Sequence, residues 1–204
     1  LAAKSNHPLL LEQIKLFKPN YIYLEDESSF ISIKDAIKDI DQSLEVINNE
    51  QDLLSLISSN IIDTVVAAVV GIAGLNGVEA ALSSGKRVLL ANKESYVVAG
   101  EYLNKLCKEN GGLIIPLDSE HSAIHQCLSR GNQKEKASRI ILTGSGGPFL
   151  NKKKTDLANV TMEEAINHPI WTMGRKISVD SSTLMKANIS ILIDSTNFHK
   201  RKTF

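Results

Sequence analysis

The sequence predicts an α/β protein: a doubly wound, Rossmann-like, mostly parallel sheet followed by part of an α+β catalytic domain. Three observations carry this expectation. Short runs rich in Val and Ile alternate with segments of helical periodicity, as in parallel strands joined by crossover helices. The run TVVAAVV at 64–70 is apolar on both faces, the composition of a central, covered strand. Polar clusters fall directly after such runs, where open α/β sheets bind their ligands.

Taken in order, 8–17 (PLLLEQIKLF) has helical periodicity and 21–24 (YIYL) reads as a strand. A helix over 31–40, a short strand over 44–47 and a helix over 51–58 follow. The buried strand 64–70 leads to an Ala-rich helix, 74–84, stopped by Gly85, and then to strand 87–90 (RVLL). Ser95 is a candidate cap for a helix running to about 109, after which Gly111 and Gly112 turn the chain into strand 113–115. Beyond Pro116 the texture changes to a helix over 121–128, a charged loop, a strand over 139–143 and the glycine-rich TGSGGPF. This divides the chain into 1–116, 117–185 and a tail, 186–204.

With 204 residues, 43% of them hydrophobic, the chain has enough apolar content for one substantial core. Its 23 basic and 23 acidic side chains cancel, so no net field draws it to nucleic acid or to a membrane surface. Any anion it binds must be held by local geometry. Cys107 and Cys127 fit no metal or redox spacing and suggest reduced thiols in a reducing compartment such as the cytoplasm. No apolar run reaches the roughly eighteen residues of a membrane span. The opening LAAKSN, without an initiator Met, reads as entry part-way through a fold.

Three polar clusters sit at predicted strand ends. Lys4, Ser5 and Asn6 offer a cation and two hydrogen-bonding side chains suited to a phosphate, although many strand-to-helix turns look alike. Gly71, in VVGIAG, marks either a close approach of backbone to a ligand or a tight turn before a helix. Asn92, Lys93 and Glu94 follow a buried strand, where a lysine serves as acid, base or electrostatic stabiliser; solvated helix-entry charge is the alternative.

In PLDSEH, Asp118 and Glu120 stand two apart. On a helix they point about 160° apart, whereas in an extended segment they share a face and can chelate a divalent cation. The other reading is a helix N-terminus, where Asp, Ser and Glu are favoured; spacing alone does not decide, and one segment can serve as both. Oxygen ligands favour Mg²⁺ or Mn²⁺ over Zn²⁺. Ser145, among glycines after a strand, suits a phosphate or a plain turn. HPIWTMGRKISVDSS, 168–182, has little periodicity and reads as an active-site lid or as a satellite apolar cluster under a loop.

Together LANKES, PLDSEHSAIHQ, LTGSGGPF and HPIWTMGRKISVDSST resemble the 1-deoxy-D-xylulose 5-phosphate reductoisomerases in content, order and spacing, over residues 1 to about 185. The resemblance implies an NADPH-dependent, divalent-metal enzyme that isomerises and reduces 1-deoxy-D-xylulose 5-phosphate to 2-C-methyl-D-erythritol 4-phosphate in non-mevalonate isoprenoid synthesis. It makes 1–116 the NADPH-binding domain and 117–185 a partial catalytic domain. By position it implies that Asp118 and Glu120 bind Mn²⁺ or Mg²⁺, with Ser119 touching substrate. Lys93 contacts substrate, Asn92 and Glu94 contact cofactor, and Lys4, Ser5 and Asn6 hold the NADPH 2′-phosphate, with Gly71 also at the cofactor. Ser145 and Ser181 bind the substrate phosphate, His168 is a substrate-contacting residue of the flap, Trp171 covers the substrate, and Met173 and Gly174 lie near the nicotinamide. Lys93, Glu120 and His168 are the catalytic candidates. The family is typically homodimeric.

The chain also departs from the pattern. The family's opening strand and GxTGxxG-type loop, which seats the pyrophosphate on a helix N-terminus, have no counterpart. After Met185 the sequence runs KANISILIDSTNFHKRKTF, and no Glu follows Glu164 to complete the metal site. The expectation is a reductoisomerase fragment with little or no turnover; the alternative is a non-catalytic remnant that binds metal or sugar phosphate.

Overall fold

The computed structural model describes residues 1–40, 43–130 and 147–168, together with 178, 179 and 182. Strands β1 (Ala2–Ala3), β2 (Tyr21–Leu24) and β3 (Glu45–Ile47) alternate with helices α1 (His7–Phe17), α2 (Glu27–Ile40) and α3 (Glu50–Ser58). Then come β4 (Thr64–Ala67), a 3-10 turn, α4 (Leu75–Ser83), β5 (Arg87–Leu90), α5 (Lys93–Asn110), β6 (Leu113–Pro116) and α6 (Ser119–Arg130). A second 3-10 turn and α7 (Met162–Ile166) follow among the described residues. The architecture is Rossmann-like, with parallel sheets and flanking helices, and a smaller α+β part follows.

The strands form two three-stranded sheets, ordered β1-β2-β3 and β4-β5-β6. In the first, Ala2 pairs with Tyr23 and Ile22 with Val46, all strands running parallel. In the second, Leu113 N–H donates to Lys86 O (3.2 Å) and Leu117 N–H to Leu90 O (2.9 Å). Partners that advance together along both strands make β5 and β6 parallel.

The chain divides into two compact units. The first comprises Leu1–Ala67, Ala73–Val88 and Leu106–Ile114. Its main core joins Leu10 and Ile14 of α1, Ile22 and Leu24 of β2, Ile33 and Ile37 of α2, and Leu44, all of them buried. The i, i+4 spacing of each helical pair puts both residues on one face, toward the alternate inward residues of β2. The second unit takes in Ala68–Ile72, Leu89–Lys105 and the described residues from Ile115 onward. It buries Leu90, Tyr96 and Leu103.

Two expectations need correction. Strand 64–70 was expected to be central and covered, but β4 stops at Ala67 and, among the described residues, pairs only with β5. Val66 is 62% exposed and Val70 83%. The strand stops because the carbonyls of Val69 and Gly71 are drawn to the Asn92 side chain and Gly71 takes φ +76°. Nor is Ser95 the cap of α5, since the oxygen of Asn92 accepts the Ser95 N–H (3.3 Å) and the helix begins two residues earlier. The expected strand at 139–143 lies outside the described residues.

Candidate functional site

The turn after β1 belongs to the first unit, and its backbone is pinned from β2. Glu25 N–H donates to Ala3 O, Asp26 N–H to Lys4 O and the Ser29 hydroxyl to Ser5 O. Asp26 in turn accepts from the Ser28 hydroxyl (2.5 Å) and from Ser29 N–H (2.7 Å), and these bonds hold its carboxyl at about 2, below the ordinary 3.8. On this fixed backbone the side chains of Lys4, Ser5 and Asn6 are exposed. Lys4 Nζ stands 3.9 Å from Glu25, a loose contact that leaves the ammonium to solvent. Asn6 Oδ1 caps α1 at Leu9 N–H (3.3 Å), so its NH₂ group is the remaining donor. One cation and short polar side chains around a rigid turn fit a phosphate monoester.

In the second unit Asn92 is buried, 3% exposed, and joins two chain segments. Its NH₂ group donates to Val69 O (2.5 Å) and Gly71 O (2.7 Å), while its oxygen caps α5 at Ser95. The side chain expected to touch cofactor thus fixes the Gly71 loop to the start of the helix that carries Lys93 and Glu94. Among the described residues a Cβ built on Gly71 would meet nothing within 4 Å, so the space on that side of the backbone is open. Ser95, fully buried in the first turn, has a hydroxyl without a hydrogen-bond partner among the described residues.

Asp118 lies between β6 and the first residue of α6, and Ser119 and Glu120 open the helix. The helix-entry arrangement is therefore the one adopted: Ser122 N–H donates to Asp118 O in the first helical turn. The carboxylate, 15% exposed, receives His121 Nδ1 at Oδ2, while the imidazole is only 4% exposed. Sequence reasoning gave His121 no role beside Asp118; the i, i+3 spacing across a helix start was the available signal. No group of three or more His, Cys, Asp or Glu side chains suited to a metal occurs among the described residues. The donor that is described, an accessible carboxylate after a strand, suits a hard divalent cation.

His168, just past α7, is buried, 7% exposed. Helix α7 is fixed by a capping box in which Glu164 N–H donates to the Thr161 hydroxyl and Thr161 N–H to the Glu164 carboxylate. Lys152 lies 2.6 Å from that carboxylate and holds it below its usual range. Ser145, Trp171, Met173, Gly174 and Ser181 lie outside the described residues. The structure thus forms Gly71, Asn92, Lys93 and Glu94 into one local arrangement and Asp118 with His121 into another.

Two family models match the chain. Residues 1–100 match 1-deoxy-D-xylulose 5-phosphate reductoisomerase, and residues 114–198 match the C-terminal domain of the same enzyme. The chain belongs to the 1-deoxy-D-xylulose 5-phosphate reductoisomerase family. The reductoisomerase of Clostridium botulinum (strain Loch Maree / Type A3) is 44% identical over 192 residues, 94% of this chain and 50% of that protein. That of Caldanaerobacter subterraneus subsp. tengcongensis is 45% identical over 192 residues, 94% of this chain and 49% of that protein. The Zymomonas mobilis reductoisomerase solved with NADPH superposes with a TM-score of 0.85 at 34% identity, covering 98% of this chain and 51% of that one. A DOX-P reductoisomerase in complex with NADPH, fosmidomycin and magnesium gives a TM-score of 0.81 at 36% identity, covering 97% and 50%. The chain spans about half the length of the curated reductoisomerases it matches. The match to the C-terminal domain runs to residue 198, past the Met185 at which agreement was expected to end.

Proposed function

We propose that this chain forms the cofactor-proximal and metal-proximal part of an NADPH-dependent reductoisomerase, which converts 1-deoxy-D-xylulose 5-phosphate to 2-C-methyl-D-erythritol 4-phosphate in a reducing compartment. The observation that carries this reading is the match of nearly the whole chain, 97% at 36% identity, to a reductoisomerase in complex with NADPH, fosmidomycin and magnesium. Residues 1–116 are the nucleotide domain in this reading and 117–185 the part that meets metal and sugar phosphate.

Lys4, Ser5 and Asn6 bind the 2′-phosphate, which separates NADPH from NADH by a charge-assisted contact on a pre-formed turn. The Gly71 loop and Glu94 line the nucleotide, and Asn92 orients both through its backbone bonds. Lys93 places its ammonium on substrate oxygen. Asp118 and Glu120 hold Mg²⁺ or Mn²⁺ through oxygen, with Ser119 on the substrate beside them. The bound cation would supply Lewis-acid stabilisation of oxygen charge and the bound NADPH would supply hydride. Ser145 and Ser181 take the substrate phosphate, and contacts so far from the reacting carbons supply binding energy that draws His168 and Trp171 over the site and excludes water. Met173 and Gly174 flank the nicotinamide. Homodimerisation, typical of the family, belongs to the same reading.

This chain's own residues supply two of the expected carboxylates, since no Glu follows Glu164. We therefore expect it to bind NADPH and Mn²⁺ while turning over slowly or not at all. The test measures NADPH and Mn²⁺ binding by titration and NADPH oxidation with the sugar phosphate present. Failure to bind either ligand sinks the functional reading, and turnover near that of the Zymomonas mobilis relative sinks the expectation of impairment.

A further inference from the structure

The pairing of Asp118 with His121 is chemically specific. An ionised carboxylate only accepts hydrogen bonds, so the shared hydrogen belongs to Nδ1 of the ring and Oδ2 is the accepting atom. The ring lies on the interior side, 4% exposed against 15% for the carboxylate. Its Nε2 is buried and finds no hydrogen-bond partner among the described residues. A buried ring has its rotamer set by packing, and here one nitrogen is left unsatisfied while the other is directed onto Asp118. A solvated i, i+3 pair on a helix surface contributes little and does not account for this burial. What the bond does accomplish is to fix the torsion of the carboxylate. With Oδ2 engaged by the ring, Oδ1 is the carboxylate oxygen that His121 does not hold.

We propose that His121 is a positioning residue for cation binding: its Nδ1–H holds Oδ2 of Asp118 so that Oδ1 meets the divalent cation in a fixed orientation. The proposal rests on the reading of Asp118 as a metal ligand. Hydrogen-bonded partners of ligating groups commonly control affinity in this way, and their loss costs about 10–100-fold.

The test is calorimetric titration of the full chain with Mn²⁺, comparing the parent with Asp118→Asn, His121→Asn, His121→Gln and His121→Leu, each checked for folding by circular dichroism. An Asn carboxamide places its N–H close to where Nδ1 stands, whereas Gln places it near Nε2. The expected pattern is loss of binding in Asp118→Asn, about 10–100-fold weaker binding in His121→Gln and His121→Leu, and most of the affinity retained in His121→Asn. If the parent binds no Mn²⁺, or Asp118→Asn binds as the parent does, the metal reading itself fails and takes the proposal with it. If Asp118→Asn loses binding while His121→Gln binds as the parent does, the metal reading stands and the positioning role is overturned. Equal weakening of His121→Asn and His121→Gln, by misfolding or otherwise, overturns it as well, because the ring would then serve only to hold the helix.

Discussion

Asn92 lies buried with its NH₂ group shared between the carbonyls of Val69 and Gly71 and its oxygen on the Ser95 amide. Replacement by Leu leaves two carbonyls and an amide without that partner, and each buried polar group so stranded costs about 1–3 kcal/mol. Urea unfolding of Asn92→Leu should show a loss of at least about 2 kcal/mol on this basis; a loss within error would mean that these backbone groups find other partners. Asp26 gives a pH-dependent counterpart. Hydrogen bonds from Ser28 and Ser29 depress its folded pKa from 3.8 to about 2. A depressed carboxylate contributes stability that is complete above its unfolded value and disappears as pH falls through the folded one. The melting temperature of Asp26→Ala should therefore lie below that of the parent above pH 3.8, with the gap closing toward pH 2. A gap constant over that range would refute the assignment. At this scale the sequence identified where polar residues gather but not what each one bonds. Asn92 was recognised as a polar residue at a strand end, yet its partners, Val69 and Gly71, lie more than twenty positions earlier, and no local spacing reveals them.

Elements were most legible where local chemistry alone sets their limits. YIYL and RVLL occupy the strands read from them, because aromatic and branched residues bounded by polar ones leave little choice of ends. Limits shifted where a distant residue intervened: α5 begins early because Asn92 caps it, and β4 ends early because the same side chain takes the carbonyls beyond it. Helix α5 also breaks at Ala99 (φ −131°, ψ 21°), beside Gly100, where an added Cβ would lie 3.2 Å from the Tyr96 ring. The stop at Gly85 was legible because part of its cause, the left-handed backbone, is local. That residue takes φ +71°, and a Cβ there would come within 2.7 Å of the Asn110 carbonyl oxygen. Gly85→Ala should lower stability by more than about 1 kcal/mol, since strain and collision act together. A chemical denaturation midpoint equal to that of the parent would show that the α4–β5 turn relaxes around the methyl group.

For the whole molecule, family membership was legible because it rests on four long motifs in order, a property of sequence that needs no contact to be known. What sequence could not give was the exposure of the run it read as buried. Val66, Val69, Val70 and Ile72 are 62%, 52%, 83% and 62% exposed. Such a composition belongs to a strand with neighbours on both edges, yet among the described residues β4 has only β5. An apolar strand with one unpaired edge favours association with further chains, since pairing satisfies its backbone while burying its side chains. The purified chain should therefore scatter light increasingly with concentration. Val66→Thr combined with Val70→Lys should suppress the effect without lowering the melting temperature, because both side chains already face water and the β-branched Thr keeps strand propensity. If the parent instead remains monomeric at every concentration, the exposed valines are not adhesive. If the double variant unfolds, those side chains are contributing to packing that their exposure does not reveal.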